Sequence, residues 1–211
     1  MTNVYVLTAS GKLDPFVGRI KEKAKESIKR IAIKIPLPNV DIVFSDNQSS
    51  TIPHLGIGGF TPNEHLVFVY LNPNFSNFEN TINEEIFRTL AHELHHCLRW
   101  QNPGYGYTLL EAMASEGLAD HFDVEVTGKG PQKWDVALST KQVTNLNKKA
   151  QLDYNNKHYN HNAWFFGSKE EKTPKWTGYT LGFKLINDYL KRNPNKKASQ
   201  LYSVRAEEIL N

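Results

Sequence analysis

Three histidines and a glutamate stand within five consecutive residues of this chain, His92-Glu93-Leu94-His95-His96. His92, Glu93 and His96 fit the His-Glu-x-x-His pattern, which acts as a metal site when it lies on a helix. Four residues advance a helix by about 400°, so His92 and His96 lie one turn apart on the same face. From that face, two imidazole nitrogens can reach one tetrahedral zinc ion. Glu93 lies about 100° around the helix from His92, where it can reach a water on the metal without binding the metal itself.

A catalytic zinc site needs a third protein ligand, and the next predicted helix offers one. Glu116 follows His96 by 20 residues, in the segment SEGLAD. Asp120 stands one helical turn beyond Glu116 on the same face. A metal-bound histidine usually donates its other ring N–H to a carboxylate, so Asp120 is a candidate to orient His92. Asp120 or His121 in place of Glu116 as the third ligand are alternatives that the residues leave open.

The residues around the motif bear on other kinds of site. His95 lies about 60° to the other side of His92, so we interpret it as a supporting or surface histidine. Cys97 falls on the apolar side of the predicted helix, and we interpret it as a packed thiol rather than a nucleophile. A metzincin would need a histidine at the position of Asn102, which excludes that class.

Two helices must hold these residues. The first is predicted to begin near Thr81, where Thr81 and Glu84 match a capping box. The second is predicted over residues 108–126. The first helix shows an apolar stripe typical of a helix with one buried face: Ile82, Ile86, Leu90, Leu94 and Cys97.

The remaining pattern predicts strands in the first third of the chain and helices elsewhere, which is an α+β arrangement. The segment GIGGFTPNE, residues 56–64, is predicted to be a flexible turn. Its glycines Gly56, Gly58 and Gly59 could let backbone approach closely or move as a flap, and an ordinary hairpin is the alternative. The predicted strands are Val40–Phe44 and His65–Leu71, and the other predicted helices are Asp14–Ile33, Trp134–Ala150, Gly178–Arg192 and Ala198–Leu210. We expect a single domain over residues 1–211, with lobes of roughly 1–101 and 102–211.

Composition narrows the class of protein. The 211 residues are 39% hydrophobic and 22% charged, which predicts an ordinary soluble globular protein. The formal net charge of +3 gives no general case for binding nucleic acid or a membrane. A single cysteine excludes an internal disulfide and favours the cytoplasm, and we expect neither a signal peptide nor a membrane span.

The spacing of His92, Glu93, His96, Glu116 and Asp120 resembles that of the gluzincins, the thermolysin-type metallopeptidases. The chain more closely resembles the DUF2268 family of predicted zinc-dependent peptidases, through the blocks HELHHCLR, LLEAMASEGLADHF, WFFG and PKWTGYTLGFKLI. These resemblances imply a zincin-like fold in which the active-site helix lies between a small N-terminal sheet with helices and a mainly helical C-terminal lobe. They also imply one zinc ion per chain, with Glu116 as the third ligand and Asp120 as the residue that orients His92. Gluzincins stabilise the oxyanion with a tyrosine or histidine from the C-terminal lobe, for which this chain offers Tyr179, His158 and His161.

The predicted function is hydrolysis of peptide bonds through a zinc-activated water, with Glu93 as the general base. The expected partner is a peptide or protein substrate, and no nucleic acid or membrane partner is expected. Zincins commonly bind an extended peptide along a strand edge, and we expect His65–Leu71 to be that strand. An alternative is a zinc-dependent binding or regulatory module with little turnover. A weaker alternative is a helical structural protein with incidental histidines.

Overall fold

The computed structural model describes residues 1–210 and divides the chain into two compact units, Met1–Gln101 and Asn102–Asn211. The first unit contains the whole sheet and the second is helical, which confirms the predicted α+β class. The expectation that the chain is a single domain stays a prediction. Among the described residues, no helix combines the length and the apolar character needed to cross a bilayer.

The sheet of the first unit has four strands in the order β1-β2-β4-β3. β1, β2 and β4 are parallel, and β3 is an antiparallel strand at one edge. The strand predicted to border a substrate cleft is therefore an inner strand, because β4 lies between β2 and β3. The strands are β1, Thr2–Val6; β2, Val40–Ser45; β3, Ile57–Asn63; and β4, Leu66–Leu71.

Two helices of the first unit, α1 (Val17–Ala32) and α3 (Ile86–Gln101), pack on each other and on the sheet. Alternate residues of β2 and β4 point to the buried side, as the two-residue period of a strand requires. The apolar stripe predicted for the histidine helix is buried in the same core, with side chains at most 1% exposed. The strand residues of this core are Ile42, Phe44, Val67, Val69 and Leu71.

The start of the histidine helix differs from the prediction. A short helix α2, Phe78–Asn80, and a wide π-helical turn, Thr81–Glu85, lead directly into α3. Thr81 does not cap a helix; its hydroxyl donates a 2.7 Å hydrogen bond to the carbonyl oxygen of Leu55. The capping-box prediction was wrong because a tertiary partner takes the side chain that a local motif would have used.

The segment predicted to be a flexible turn is largely strand β3. A β-carbon at Gly58 would collide with the carbonyl oxygen of Ser50, so this glycine permits a close approach of two backbone segments. Glycine has a low intrinsic preference for strands, and here the packing overrides it. β1 was not predicted either, and it makes β1, α1 and β2 a strand–helix–strand unit with parallel strands.

Within its described residues, 102–210, the second unit contains five α-helices. The longest is α4, Leu109–Thr127, which begins at the N-cap residue Thr108 within a capping box formed with Glu111. The predicted helix over 134–150 begins later, because the Ser139 side chain caps it at residue 140. The predicted C-terminal helix is only a short turn at 198–200 and α8. The other helices are α5, Thr140–Asp153; α6, His161–Phe166, which was not predicted; α7, Thr177–Arg192; and α8, Ala206–Leu210.

Helices α4 and α7 form the centre of the second unit. A β-carbon at Gly117 of α4 would collide with the carbonyl group of Gly182 on α7, and one at Gly182 would collide with the carbonyl oxygen of Met113. The two backbones therefore approach each other without intervening side chains. The helix that carries Glu116 is positioned by this close contact.

Candidate metal centre

The two histidines of the motif lie one turn apart on α3, on the same face, as predicted. Their Nε2 atoms are 2.9 Å apart, and their rings meet edge to face with 4.6 Å between centroids. His96 is buried and His92 is half-buried. Both side chains therefore present the same nitrogen to one small region, which is the arrangement that a shared metal ion requires.

Glu93 is buried next to these histidines, with 6% of the residue exposed. The Thr61 hydroxyl of β3 lies 2.6 Å from Glu93 Oε2 and 3.1 Å from the Glu93 carbonyl oxygen. Gly59, two residues earlier on the same strand, has no side chain where the Glu93 side chain lies. The Glu93 carboxylate is therefore held on one side of α3 by β3, the edge strand of the sheet.

Cys97 is fully buried, and burial is the main reason that the pKa of its thiol is raised to about 12. The nearby charge of Glu93 acts in the same direction. The thiol therefore stays protonated near neutral pH, as expected for a packing residue and not for a nucleophile.

Glu116 lies in the third turn of α4 and is 7% exposed. The Tyr105 hydroxyl donates a 2.6 Å hydrogen bond to Glu116 Oε1. Burial, together with the charge of Glu116, raises the pKa of Tyr105 well above its usual value, so the hydroxyl keeps its proton. The Ser115 hydroxyl in turn donates to the Tyr105 carbonyl oxygen at 2.9 Å, which ties the loop before α4 to the helix.

The carboxylate one turn after Glu116 is also buried, with Asp120 only 1% exposed. Its Oδ1 accepts a 3.3 Å hydrogen bond from the indole N–H of Trp134. His121 next to it stacks on Phe183, with 3.9 Å between ring centroids, and its Nε2 lies 2.9 Å from the Phe183 carbonyl oxygen. The orienting role of Asp120 and the two alternative third ligands stay predictions.

The three candidate oxyanion donors lie in different surroundings within the second unit. His158 is exposed in the loop before α6, where its backbone N–H donates to Asn156. Tyr179 is half-buried in the first turn of α7 and packs edge-on against Phe165 at 5.0 Å. His161 begins α6 and stacks on the same Phe165 ring at 4.4 Å.

His161 also pairs with a tyrosine that the sequence did not single out. Its Nδ1 lies 2.9 Å from the Tyr159 hydroxyl. Burial raises the pKa of Tyr159 to about 12, with smaller contributions from Glu116 and Glu111. Burial lowers the pKa of His161, against the opposing charge of Glu116. Near neutral pH the tyrosine is thus protonated and the imidazole neutral, so Tyr159 donates to Nδ1 and the ring proton lies on Nε2.

One group of potential metal ligands occurs among the described residues. His92, His96 and Glu116 each offer one ligand atom, and the three atoms lie within 4.8 Å of one another. Two nitrogens and one carboxylate oxygen are donors that zinc accepts, and such a three-ligand set is typical of catalytic zinc sites. The arrangement is chemically suited to hold a metal ion while leaving one coordination position open.

Sequence reasoning missed the residues that support the functional groups. Thr61 lies in a glycine-rich segment whose composition predicts a turn. The available signal was its neighbour Pro62, because a proline within a strand is typical of an edge strand or a bulge. Tyr105 and Tyr159 lie in irregular segments, where apolar periodicity carries no information. For Tyr105 the available signal was its position, because it is an aromatic residue in the short connection between the two helices that carry the site residues.

Comparison with known families places most of the chain in one group. A family model described as "Predicted Zn-dependent protease (DUF2268)" matches residues 20–211. The search of curated proteins and the search of solved structures returned no match.

Proposed function

The chain belongs to this family of predicted zinc-dependent proteases, and on that premise we propose that it is a zinc metallopeptidase. His92, His96 and Glu116 hold one zinc ion per chain, and Glu93 is the general base. The observation that carries the proposal is the grouping of the three ligand atoms within 4.8 Å. A peptide or protein is the substrate, and we propose neither a nucleic acid nor a membrane as a partner.

The donor geometry fits zinc. With Zn–N bonds of about 2.0–2.1 Å, two histidines on a tetrahedral ion have their nitrogens about 3.3 Å apart. The Nε2 atoms of His92 and His96 are 2.9 Å apart, so a shift of a few tenths of an ångström accommodates the ion. A purely structural zinc site usually closes with four protein ligands and does not need an adjacent glutamate.

When bound, the ion supplies Lewis acidity at an open position, where it lowers the pKa of a water to about 7 and polarises a carbonyl group. The Glu93 carboxylate takes a proton from the attacking water and passes it to the amine that leaves. Asp120 orients His92 by accepting its other ring N–H, and Trp134 holds Asp120 through Oδ1.

Among the three candidate oxyanion donors, we favour His161. A neutral imidazole with its proton on Nε2 is a hydrogen-bond donor that does not lose its proton to the developing charge. The bond from Tyr159 to Nδ1 and the lowered pKa of His161 favour that form. Tyr179, whose ring packs edge-on against Phe165, is the second choice, and the exposed His158 is the third. Loss of one such donor is expected to cost about 10²–10³ in kcat.

We place the enzyme in a reducing compartment, with the cytoplasm as the expected one. Cys97 is the only cysteine of the chain and is fully buried, so no disulfide contributes to this fold.

The proposal is tested by metal analysis combined with a peptidase assay. The chain, purified without chelators, is expected to contain one zinc ion and to cleave an unfolded protein or a peptide library. The Glu93→Gln variant should retain the zinc and lose at least about 10³-fold in kcat, because it keeps the shape and removes the base. Cleavage by Glu93→Gln at the wild-type rate, or no zinc uptake, would contradict the proposal. Tight peptide binding by the zinc-loaded protein without turnover would instead favour a regulatory module.

A further inference from the structure

Two positions on the edge strand β3 contact the side chain of Glu93. Thr61 Oγ1 lies 2.6 Å from Glu93 Oε2, and both residues are buried, at 8% and 6% exposed. Thr61 has one hydroxyl proton and two nearby acceptors. The contact with the carboxylate is shorter than the 3.1 Å contact with the Glu93 carbonyl oxygen, and bonds to a charged acceptor are about twice as strong as neutral ones. The proton therefore lies on the bond to Oε2.

The second position is Gly59, on the same face of the strand as Thr61. A β-carbon at position 59 would lie 2.6 Å from Cγ and 2.7 Å from Cδ of Glu93, and it would also collide with Oε1. No side chain larger than a hydrogen fits there while Glu93 keeps its conformation. The Glu93 side chain thus packs directly on the backbone of β3 at Gly59.

The backbone of β3 is shaped to bring Thr61 to this place. The pairing of β3 with β4 shifts register between Phe60 and Asn63, as at a β-bulge. Pro62 lies within the shift and has no N–H to give to the ladder. Bulges re-aim side chains and release backbone groups from pairing. Here the carbonyl oxygen of Thr61 accepts a 3.1 Å hydrogen bond from the indole N–H of Trp100 on α3.

We infer that Thr61 is a positioning residue for the general base, and that Gly59 provides the space in which the base is held. The Thr61 hydroxyl holds Oε2, which leaves Oε1 as the oxygen that takes the proton. Two hydrogen bonds and one further polar contact of 3.1 Å join residue 61 to α3, so the strand and the histidine helix hold Glu93 as one assembly. This inference rests on the proposed function for its catalytic consequence, but the hydrogen bond is testable without it.

The catalytic consequence is tested with Thr61→Val and Thr61→Ser. Valine keeps the shape and removes the hydroxyl, while serine keeps the hydroxyl. We expect Thr61→Val to lower kcat by about 10- to 100-fold with KM changed little and one zinc ion retained, because a loosely held base leaves the productive geometry. Thr61→Ser should recover most of the loss. Equal losses in both variants, or an unchanged kcat in Thr61→Val, would overturn the inference.

A second measurement uses the metal-free protein and needs no activity. Thermal unfolding is followed for Thr61→Val in the wild-type background and in the Glu93→Ala background. The inference requires a fall in Tm in the first background that is largely absent in the second, because the partner is already gone. An equal fall in both backgrounds would show that Thr61 stabilises the strand and does not hold Glu93.

Thr81→Val is the matched control for both measurements. Thr81 is buried and donates a 2.7 Å hydrogen bond as well, but to the backbone of Leu55. Its replacement should lower Tm equally with and without Glu93 and leave kcat nearly unchanged. If the wild type shows no peptidase activity, the proposed function fails. The unfolding comparison still decides whether Thr61 holds Glu93.

Discussion

The two glutamates of the candidate site are held in different ways. Glu93, in the unit Met1–Gln101, is supported by Thr61 from a strand 32 residues earlier in the chain. Glu116, in the other unit, is supported by Tyr105 from the loop just before its own helix, 11 residues earlier. Both donors approach to 2.6 Å, but one contact depends on the sheet and the other on a local turn. We conclude that the position of Glu93, the proposed general base, depends on tertiary packing of the first unit, whereas that of Glu116, the proposed third ligand, depends on its own helix and loop.

The helices that carry the two glutamates also differ. α3 buries one apolar stripe against the sheet, and most of its polar residues, the histidines among them, are buried as well. α4 is buried on nearly all sides, from Leu109 to Asp120 and beyond. Its position is set by backbone contact with α7 at Gly117 and Gly182. The contact at Gly117 therefore tolerates little added volume, whereas α3 packs on the sheet through its apolar side chains.

The largest expected effect separates the two glutamates by function. Glu116→Gln should weaken zinc binding by at least about 100-fold, since a neutral amide replaces a ligand and loss of even a supporting partner costs about 10- to 100-fold. Glu93→Gln should bind zinc as the wild type does. Competition titration with a zinc-binding dye measures both. Similar zinc affinity for the two variants would remove the distinction between ligand and base.

The next largest expected effect tests the packing of α4 against α7. Gly117→Ala is expected to destabilise the protein by about 1–3 kcal/mol, because the new methyl group meets the Gly182 carbonyl. Gly18 on α1 is the matched control, since a β-carbon there meets nothing within 4 Å. Gly18→Ala should stabilise by about 0.5–1 kcal/mol through helix propensity. Urea unfolding of both variants measures the difference, and a stabilising Gly117→Ala would show that α4 and α7 can separate at no cost.

A comparable effect tests the local support of the third ligand. Tyr105→Phe removes the hydroxyl that donates to Glu116 and should weaken zinc binding by about 10- to 100-fold. Tyr107 in the same loop is exposed, so Tyr107→Phe is a control that should leave zinc affinity unchanged. If the two variants bind zinc equally well, Glu116 does not depend on its tyrosine.

The smallest expected effect is a pH dependence of the stability that comes from His121 in the second unit. Burial is the main cause that lowers the pKa of His121, with the bond to Phe183 and the charge of Asp120 acting the other way. The folded protein therefore binds this proton less readily than the unfolded chain does. The stability from the neutral ring is present above about pH 6.5 and is lost as the pH falls below that value.

We expect Tm to fall between pH 7.5 and pH 5.5, and the fall to be smaller in His121→Phe, which keeps the stack on Phe183 without a titrating group. His65 is exposed, and His65→Asn should keep the wild-type pH dependence. An unchanged pH dependence in His121→Phe would show that this histidine does not contribute.

Local signals predicted the parts of the fold that local interactions determine. The predicted start of the second site helix at residue 108 was confirmed, and the structure shows there a capping box of Thr108 and Glu111, whose partners lie within one turn. The same motif at Thr81 was misleading, since its hydroxyl bonds to Leu55 instead. The difference is physical: the Thr108 side chain bonds to Glu111 within its own turn, and the Thr81 side chain bonds to a residue on a distant segment.

The sequence alone determined that His92 and His96 could share a metal ion, and it left Glu116, Asp120 and His121 open as the third ligand. Helical spacing fixes the relation of His92 to His96, and it does so for any stable helix. Tertiary structure decided what surrounds them: the contact of Thr61 and Gly59 with Glu93, the bond from Tyr105 to Glu116, and the pairing of Tyr159 with His161. Periodicity describes one element at a time. These contacts instead depend on strand register, a bulge and loop conformation, which become defined only when the elements pack.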